Sequence, residues 1–237
     1  MKINLYPNFD DVFADETLKG IFYPLCSLTL EKYPNKIFHI ISSNGLWMDE
    51  NFETKENTSN YTLFEFQENK YKFNGDIKLY QGYKQAKIIF SELQLDFAKN
   101  GKAYIEKKTK TDDYIEIQKQ NLNIRIDGDF DVDYYLQTFY EFSIMKLNYE
   151  LTNDFGAFRV LLDKDFTNPN IISPIIYDKT TDELNGTLNH YDKPNIENID
   201  TFEVIGKIVG CEFFTDGNDT VLFYNDLEKI LCLNFYS

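Results

Sequence analysis

The chain has 237 residues, of which 43% are hydrophobic and 16% aromatic, and its 24 Lys and Arg residues stand against 39 Asp and Glu residues. This length suits one large domain or two small ones, and the apolar content supports a filled core, so the composition excludes a disordered chain. The formal net charge of −15 opposes binding to nucleic acid, because nucleic acid is itself a polyanion.

The N-terminal residues predict short strands and one helix. Residues 2–6 predict a strand, and residues 9–19 predict a helix with Asn8 as its N-cap. The apolar run 21–30 contains Pro24, which lacks a backbone N–H. We therefore expect this run to form an edge strand at best.

Two hairpins are predicted between residues 36 and 73. The first pairs residues 37–41 with 46–48, because Asn44-Gly45 between apolar runs is a strong turn signal. The second pairs residues 61–66 with 70–73 around a turn at Glu68-Asn69.

The middle of the chain is predicted to contain helices and strands. Residues 83–99 place apolar side chains on one helical face, and a strand is the alternative that their length disfavours. Asn100-Gly101 predicts the end of that helix. Three alternating segments, 103–105, 115–117 and 122–126, predict strands with one wet face.

The C-terminal half predicts a helix or strand at 131–147, a strand at 155–162 and a long polar loop at 163–199. Residues 201–237 contain three runs of β-forming residues separated by turns, the first turn at Asp216-Gly217, and they predict an antiparallel meander. The expected fold class is α+β, mainly antiparallel β-sheet built from hairpins and meanders, with two or three packed helices. We expect a single domain over 1–237, with a subdivision into 1–153 and 154–237 as the alternative.

The three cysteines indicate a reducing compartment. Cys26, Cys211 and Cys232 form no C-x-x-C motif, and two of them lie in apolar runs, where buried thiols are expected. The N-terminus lacks the apolar core of a signal peptide, and no run of 18 apolar residues occurs. The sequence therefore predicts a cytoplasmic protein with no membrane span.

Common catalytic and nucleotide-binding motifs do not occur in the sequence. It contains no G-x-S-x-G, no H-E-x-x-H and no phosphate-binding glycine loop, and no cofactor is expected. Of the two histidines, His39 is predicted to be half-exposed on a strand. His190 lies in the polar loop and is the better functional candidate, since functional residues concentrate on loops.

The densest acidic group consists of Asp127, Asp129, Asp131 and Asp133. Alternate carboxylates on an extended chain point the same way, and a hard cation such as Ca²⁺ needs several oxygen ligands. The EF-hand spacing fails, because its sixth and twelfth positions hold Val132 and Thr138. We expect these aspartates to cap a strand-to-helix turn, and no metal is predicted.

The charge and the missing motifs favour a binding protein. A strongly negative surface attracts cationic partners and speeds their association. We expect a non-catalytic protein that captures a basic protein partner, most concretely a bacterial immunity protein or antitoxin. The predicted contact residues are the acidic group, an aromatic anchor and two residues of the polar loop: Asp127, Asp129, Asp131, Asp133, Trp47, His190 and Asp192. The alternative is an enzyme that uses His190 and the aspartates 127–133, with or without a divalent cation.

Overall fold

The computed structural model describes residues 2–122, 130–155, 172–173, 176–178, 183–185, 196, 198–208, 210–225, 227 and 229–234. Within these residues the protein has an α+β fold of antiparallel sheets with packed helices, as the sequence predicts. None of the helices in this part of the chain is long and apolar enough to cross a membrane.

A three-stranded antiparallel sheet opens the fold, and its strands are β1 (Lys2–Leu5), β2 (Tyr23–Thr29) and β3 (Phe38–Ser42). The strand order is β1-β2-β3, so β2 is central and the expectation of an edge strand is wrong. The register of β2 against β3 shifts between Pro24 and Cys26. Because β1 pairs only with residues 26–29 of β2, Pro24 lies next to a bulge where the strand is paired on one side only.

The helix predicted over 9–19 is much shorter than expected. It consists of α1 (Phe9–Val12), followed by a separate 3-10 turn over Glu16–Leu18. Asp15 accepts a hydrogen bond from the backbone N–H of Thr17 at 2.7 Å and so begins the second turn. The residues that suggested the two ends of one helix in the sequence therefore flank two separate single turns.

One of the two predicted hairpins is confirmed. Strands β4 (Tyr61–Gln67) and β5 (Lys70–Phe73) pair around Glu68 and Asn69, whose φ values are +52° and +63°. The hairpin over 36–48 is wrong, because the chain after β3 does not return along it. Met48 instead forms an antiparallel bridge with Tyr80.

The helices of the middle of the chain are α2 (Tyr83–Lys107), α3 (Thr111–Asn121) and α4 (Val132–Thr152). The helix predicted at 83–99 is confirmed, but α2 continues through Asn100-Gly101. Of the two alternatives left open for 131–147, the helix is the one that forms. A Cβ atom at Gly101 would lie 2.9 Å from Cδ2 of Leu147 on α4. Gly101 therefore permits the two helices to approach closely.

The strands predicted at 103–105 and 115–117 are wrong, because both segments are helical. Tyr114 and Gln118, four residues apart, are both buried on one face of α3. The ring of Tyr114 stacks on that of Tyr140 from α4 with centroids 4.2 Å apart. The third predicted strand, 122–126, lies outside the described residues beyond Leu122.

The predicted C-terminal meander is confirmed. The two-residue strand β6 (Ile172–Ser173) precedes the meander in the sequence. Strands β7 (Ile176–Asp178) and β8 (Glu183–Asn185) pair with each other. The meander consists of β9 (Glu203–Ile208), β10 (Thr220–Asn225) and β11 (Lys229–Asn234). Because β11 also pairs with β4, the larger sheet has the order β5-β4-β11-β10-β9-β6. Most of the predicted strand at 155–162 and of the loop at 163–199 lies outside the described residues.

An aromatic core joins the two sheets and the helices. Phe38 of β3 contacts Tyr224 of β10 with ring centroids 5.2 Å apart, which links the sheets. Tyr23 of β2 contacts Phe142 of α4 at 5.0 Å, which links the first sheet to the helices. Because each buried aromatic side chain removes ~150–250 Å² of surface from water, these contacts stabilise the packing of the two sheets and the helices against one another.

Candidate functional site: an acidic groove beside Trp47

Three segments that are distant in the sequence enclose a groove of about 740 Å³, which we call the acidic groove. Its walls are residues 42–48 after β3, the first turns of α4, and the loop 211–219 between β9 and β10. None of its lining residues is Lys, Arg or His among the residues that the structure describes. Four of them are carboxylates: Asp131, Asp133, Asp216 and Asp219.

Asp131 begins helix α4 and also contacts the opposite wall. One of its carboxylate oxygens accepts a hydrogen bond from the backbone N–H of Tyr134 at 3.0 Å, so Asp131 is the member of the predicted capping group that caps α4. Its other oxygen accepts a hydrogen bond from Nε1 of Trp47 at 3.2 Å. Two of the sequence-predicted partner-binding residues are therefore in contact.

Trp47 presents an exposed aromatic surface that is held in place. Its side chain is 47% exposed, and its ring lies on that of Tyr134 with centroids 5.1 Å apart. The hydroxyl of Tyr134 donates a hydrogen bond to Oδ1 of Asn44 at 2.9 Å, and Nδ2 of Asn44 donates to Oγ1 of Thr138 at 3.2 Å. This chain of contacts fixes the indole against the start of α4.

The turn that carries Trp47 is shaped by Gly45. Its φ of +94° is a conformation that favours glycine, and a Cβ atom there would lie 2.9 Å from Cβ of Thr138. The Asn44-Gly45 signal in the sequence therefore marks a real turn. Its function is to bring residues 44–47 onto α4, since the chain beyond it does not pair with β3.

The third wall is fastened to α4 by side-chain hydrogen bonds. Nε2 of Gln137 donates to Oδ2 of Asp216 at 3.0 Å. The backbone N–H of Thr215 donates to Oε2 of the buried Glu141 at 2.7 Å, and the hydroxyl of Thr215 donates to the other oxygen. The sequence presented Asp216-Gly-Asn-Asp219 only as a turn, and nothing local indicated that it lines the same groove as Trp47.

Two glycines close this wall by direct backbone contact. A Cβ atom at Gly210 would lie 2.0 Å from the carbonyl oxygen of Asn218, and one at Gly217 would lie 2.2 Å from the carbonyl oxygen of Gly210. The backbone N–H of Gly210 donates to Oδ1 of Asp219 at 3.0 Å. Gly210 therefore lies at a close approach of two backbone segments.

The carboxylates of the acidic groove differ in how far their charge is compensated. Asp133 forms an ion pair with Lys119 at 2.8 Å. Asp131 and Asp216, in contrast, accept hydrogen bonds only from neutral donors within the part of the chain that the structure describes. The groove therefore carries uncompensated negative charge next to an exposed aromatic ring.

Four of the predicted contact residues, Asp127, Asp129, His190 and Asp192, lie outside the described residues. The acidic group 127–133 is thus represented by Asp131 and Asp133, which both line the groove. Among the described residues, no three His, Cys, Asp or Glu side chains come together as a metal site requires.

His39 is buried, so the prediction of a half-exposed residue is wrong. Its Nε2 lies 2.8 Å from the carbonyl oxygen of Asn69, which can only accept, so Nε2 carries the proton. Its Nδ1 lies 2.7 Å from Oγ of Ser27 and accepts the hydroxyl proton. Burial lowers the pKa of His39, which keeps the ring neutral. Ser27 is buried as well, so the pair fastens β2 to β3 and does not face a substrate.

Comparison with models of protein families, with curated proteins and with solved structures finds no match to this chain.

Proposed function

We propose that the protein is a non-catalytic binding protein whose acidic groove captures a cationic segment of a basic protein partner. The observation that carries this proposal is the exposed indole of Trp47 in contact with the carboxylate of Asp131, in a groove that Asp216 also lines. A Lys or Arg side chain of the partner would lie over the indole and pair with a carboxylate.

Cation–π contacts and long-range electrostatic attraction both favour a partner with exposed cationic side chains. A cation over an aromatic ring contributes ~0.5–1 kcal/mol at an exposed site and about 2 kcal/mol or more once water is excluded. The net charge of −15 adds long-range attraction, which raises the rate of association with a basic protein. Because Tyr134 and Asp131 already hold Trp47, little side-chain entropy remains to be lost on binding.

A bacterial immunity protein or antitoxin that neutralises a basic toxin is the most concrete form of this proposal. We expect such a complex to form in the cytoplasm. The support is that Cys26 and Cys232 are buried and form no disulfide, as is usual in a reducing compartment.

The test is affinity capture from the source cells with three forms of the protein. The groove variant carries Trp47→Ala, Asp131→Asn and Asp216→Asn, where Asn keeps the helix cap. The control variant carries Glu92→Gln and Glu106→Gln, two exposed residues of α2 outside the groove, and so loses the same charge.

We expect a basic protein that the wild type and the control retain and the groove variant loses. Its association rate should fall by about an order of magnitude between low and high salt, because added ions screen the attraction. A captured set that is identical for all three forms, or an association rate independent of salt, would refute the proposal.

A further inference from the structure

A second cavity, of about 420 Å³, lies between the start of β2 and the helices α2 and α4. Seven of its lining side chains are aromatic, among them Phe90, Phe97 and Phe142. Small-molecule pockets are mostly apolar and occupy ~300–1,000 Å³, so both the size and the lining fit a small ligand. We call it the aromatic pocket.

The rim of the aromatic pocket has the opposite charge to the rest of the chain. It carries four lysines, Lys19, Lys99, Lys102 and Lys146, and one carboxylate, Glu150. The whole chain has 39 acidic against 24 basic residues, and the acidic groove has no basic lining residue at all among those described. A cationic rim around an apolar floor therefore needs its own explanation.

Two of the four lysines have their charge compensated within the protein. Lys19 pairs with Asp10 at 2.9 Å, and Lys146 lies 4.0 Å from Glu150. Lys99 and Lys102 form no ion pair within 4.0 Å among the described residues, and both are exposed. They are three positions apart on α2, so their ammonium groups lie on one face and repel each other.

We propose that the aromatic pocket binds an amphipathic monocarboxylate, in which an apolar chain or ring carries a single carboxylate. The apolar part occupies the space between the aromatic rings and loses its contact with water. The two carboxylate oxygens accept hydrogen bonds from Lys99 and Lys102, and their negative charge removes the repulsion between these side chains. This site is separate from the acidic groove and does not depend on the partner proposed for it.

Isothermal titration with decanoate, below the concentration at which it forms micelles, tests the proposal. Decanol is the matched probe, since it has the same chain and no charge. The double variant Lys99→Gln/Lys102→Gln removes the unpaired cations. Lys84→Gln/Lys107→Gln changes the net charge equally at exposed positions of α2 outside the pocket.

We expect decanoate to bind with one-to-one saturation and more tightly than decanol. The first double variant should weaken decanoate binding roughly fivefold, as two partly exposed ion pairs allow, and the control variant should leave it unchanged. Ala98→Trp, at an exposed lining position, should block binding by filling the entrance. The proposal is wrong if decanoate does not saturate, if decanol binds equally well, or if both double variants weaken binding alike.

Discussion

The indole N–H of Trp47 donates a hydrogen bond to the carboxylate of Asp131 at 3.2 Å, although 84 residues separate the two in the sequence. The second oxygen of the same carboxylate caps α4 through the N–H of Tyr134. One aspartate therefore both begins a helix and positions the exposed aromatic ring of the acidic groove. Changes at Asp131 should affect the stability of the helix and the environment of Trp47 together.

Replacing Asp131 by alanine should lower the free energy of unfolding by about 1 kcal/mol, the usual cost of losing an N-cap. The emission of Trp47 should change as well, and Trp47 is the only tryptophan, so one fluorescence-monitored urea titration reports both effects. Asp131→Asn is the control, because Asn caps helices about as well as Asp. An alanine variant as stable as the asparagine variant would show that the cap contributes nothing.

The three thiols should differ sharply in reactivity in the native protein. Cys211 is exposed in the acidic groove, whereas Cys26 and Cys232 are buried. Burial raises the pKa of the Cys26 thiol to about 12 and raises that of Cys232 as well, so neither forms the reactive thiolate near neutral pH. Mass spectrometry after brief alkylation should find one modified cysteine per native chain and three after denaturation. Fast modification of Cys26 or Cys232 would contradict the packing of the sheets.

Cys211 also offers a direct measurement of the field in the acidic groove. A cationic methanethiosulfonate reagent should modify it faster than an anionic one of similar size, and the ratio of rates should fall with added salt. Asp131→Asn combined with Asp216→Asn should reduce that ratio, whereas Glu92→Gln combined with Glu106→Gln should change it less. Equal rates for both reagents at low salt would mean that the groove does not attract cations.

The wall formed by residues 211–219 depends on a glycine that tolerates no side chain. A Cβ atom at Gly210 would lie 2.0 Å from the carbonyl oxygen of Asn218, which is backbone and cannot rotate away. We expect Gly210→Ala to lower the free energy of unfolding by about 2–4 kcal/mol and to alter the labelling rate of Cys211. Asn218→Ala is the control in the same turn, because it keeps the backbone oxygen. Wild-type stability for Gly210→Ala would contradict this packing.

Local signals in the sequence account for the elements that were predicted correctly. The turn at Glu68-Asn69 is predicted because these polar residues separate two strand-like runs, and both residues adopt the positive φ of a two-residue hairpin turn. The C-terminal meander is predicted because its strands are consecutive and their turns are polar. The strands predicted at 103–105 and 115–117 do not form, because two apolar residues are too few to establish an alternating pattern. Both segments are helical, and the buried rings of Tyr104 and Tyr114 contact each other with centroids 5.4 Å apart.

The sequence indicated individual residues of the acidic groove but not that they form a groove. Trp47 and Asp131 were each expected to face a partner, one as an aromatic anchor and the other as part of an acidic group. That they touch depends on a turn at Gly45 packing against α4, which is a tertiary event with no local signature. Tyr134 and the wall 211–219 were missed for the same reason, since nothing in their sequence differs from an ordinary helix or turn.

The burial of His39 predicts how stability depends on pH. The pKa of His39 is lowered from its ordinary value of 6.5 by burial, so the unfolded chain binds a proton at a pH where the folded chain does not. This difference favours unfolding as the pH falls below about 6.5, the ordinary pKa of histidine, and it vanishes above that pH. The free energy of unfolding, measured by urea titration between pH 5 and pH 7.5, should therefore decrease towards pH 5. His39→Gln should be less stable at neutral pH, because it disturbs the bonds to Ser27 and Asn69, yet it should lose less stability on acidification. If wild type and variant lose the same amount between pH 7 and pH 5, His39 is not held neutral by the fold.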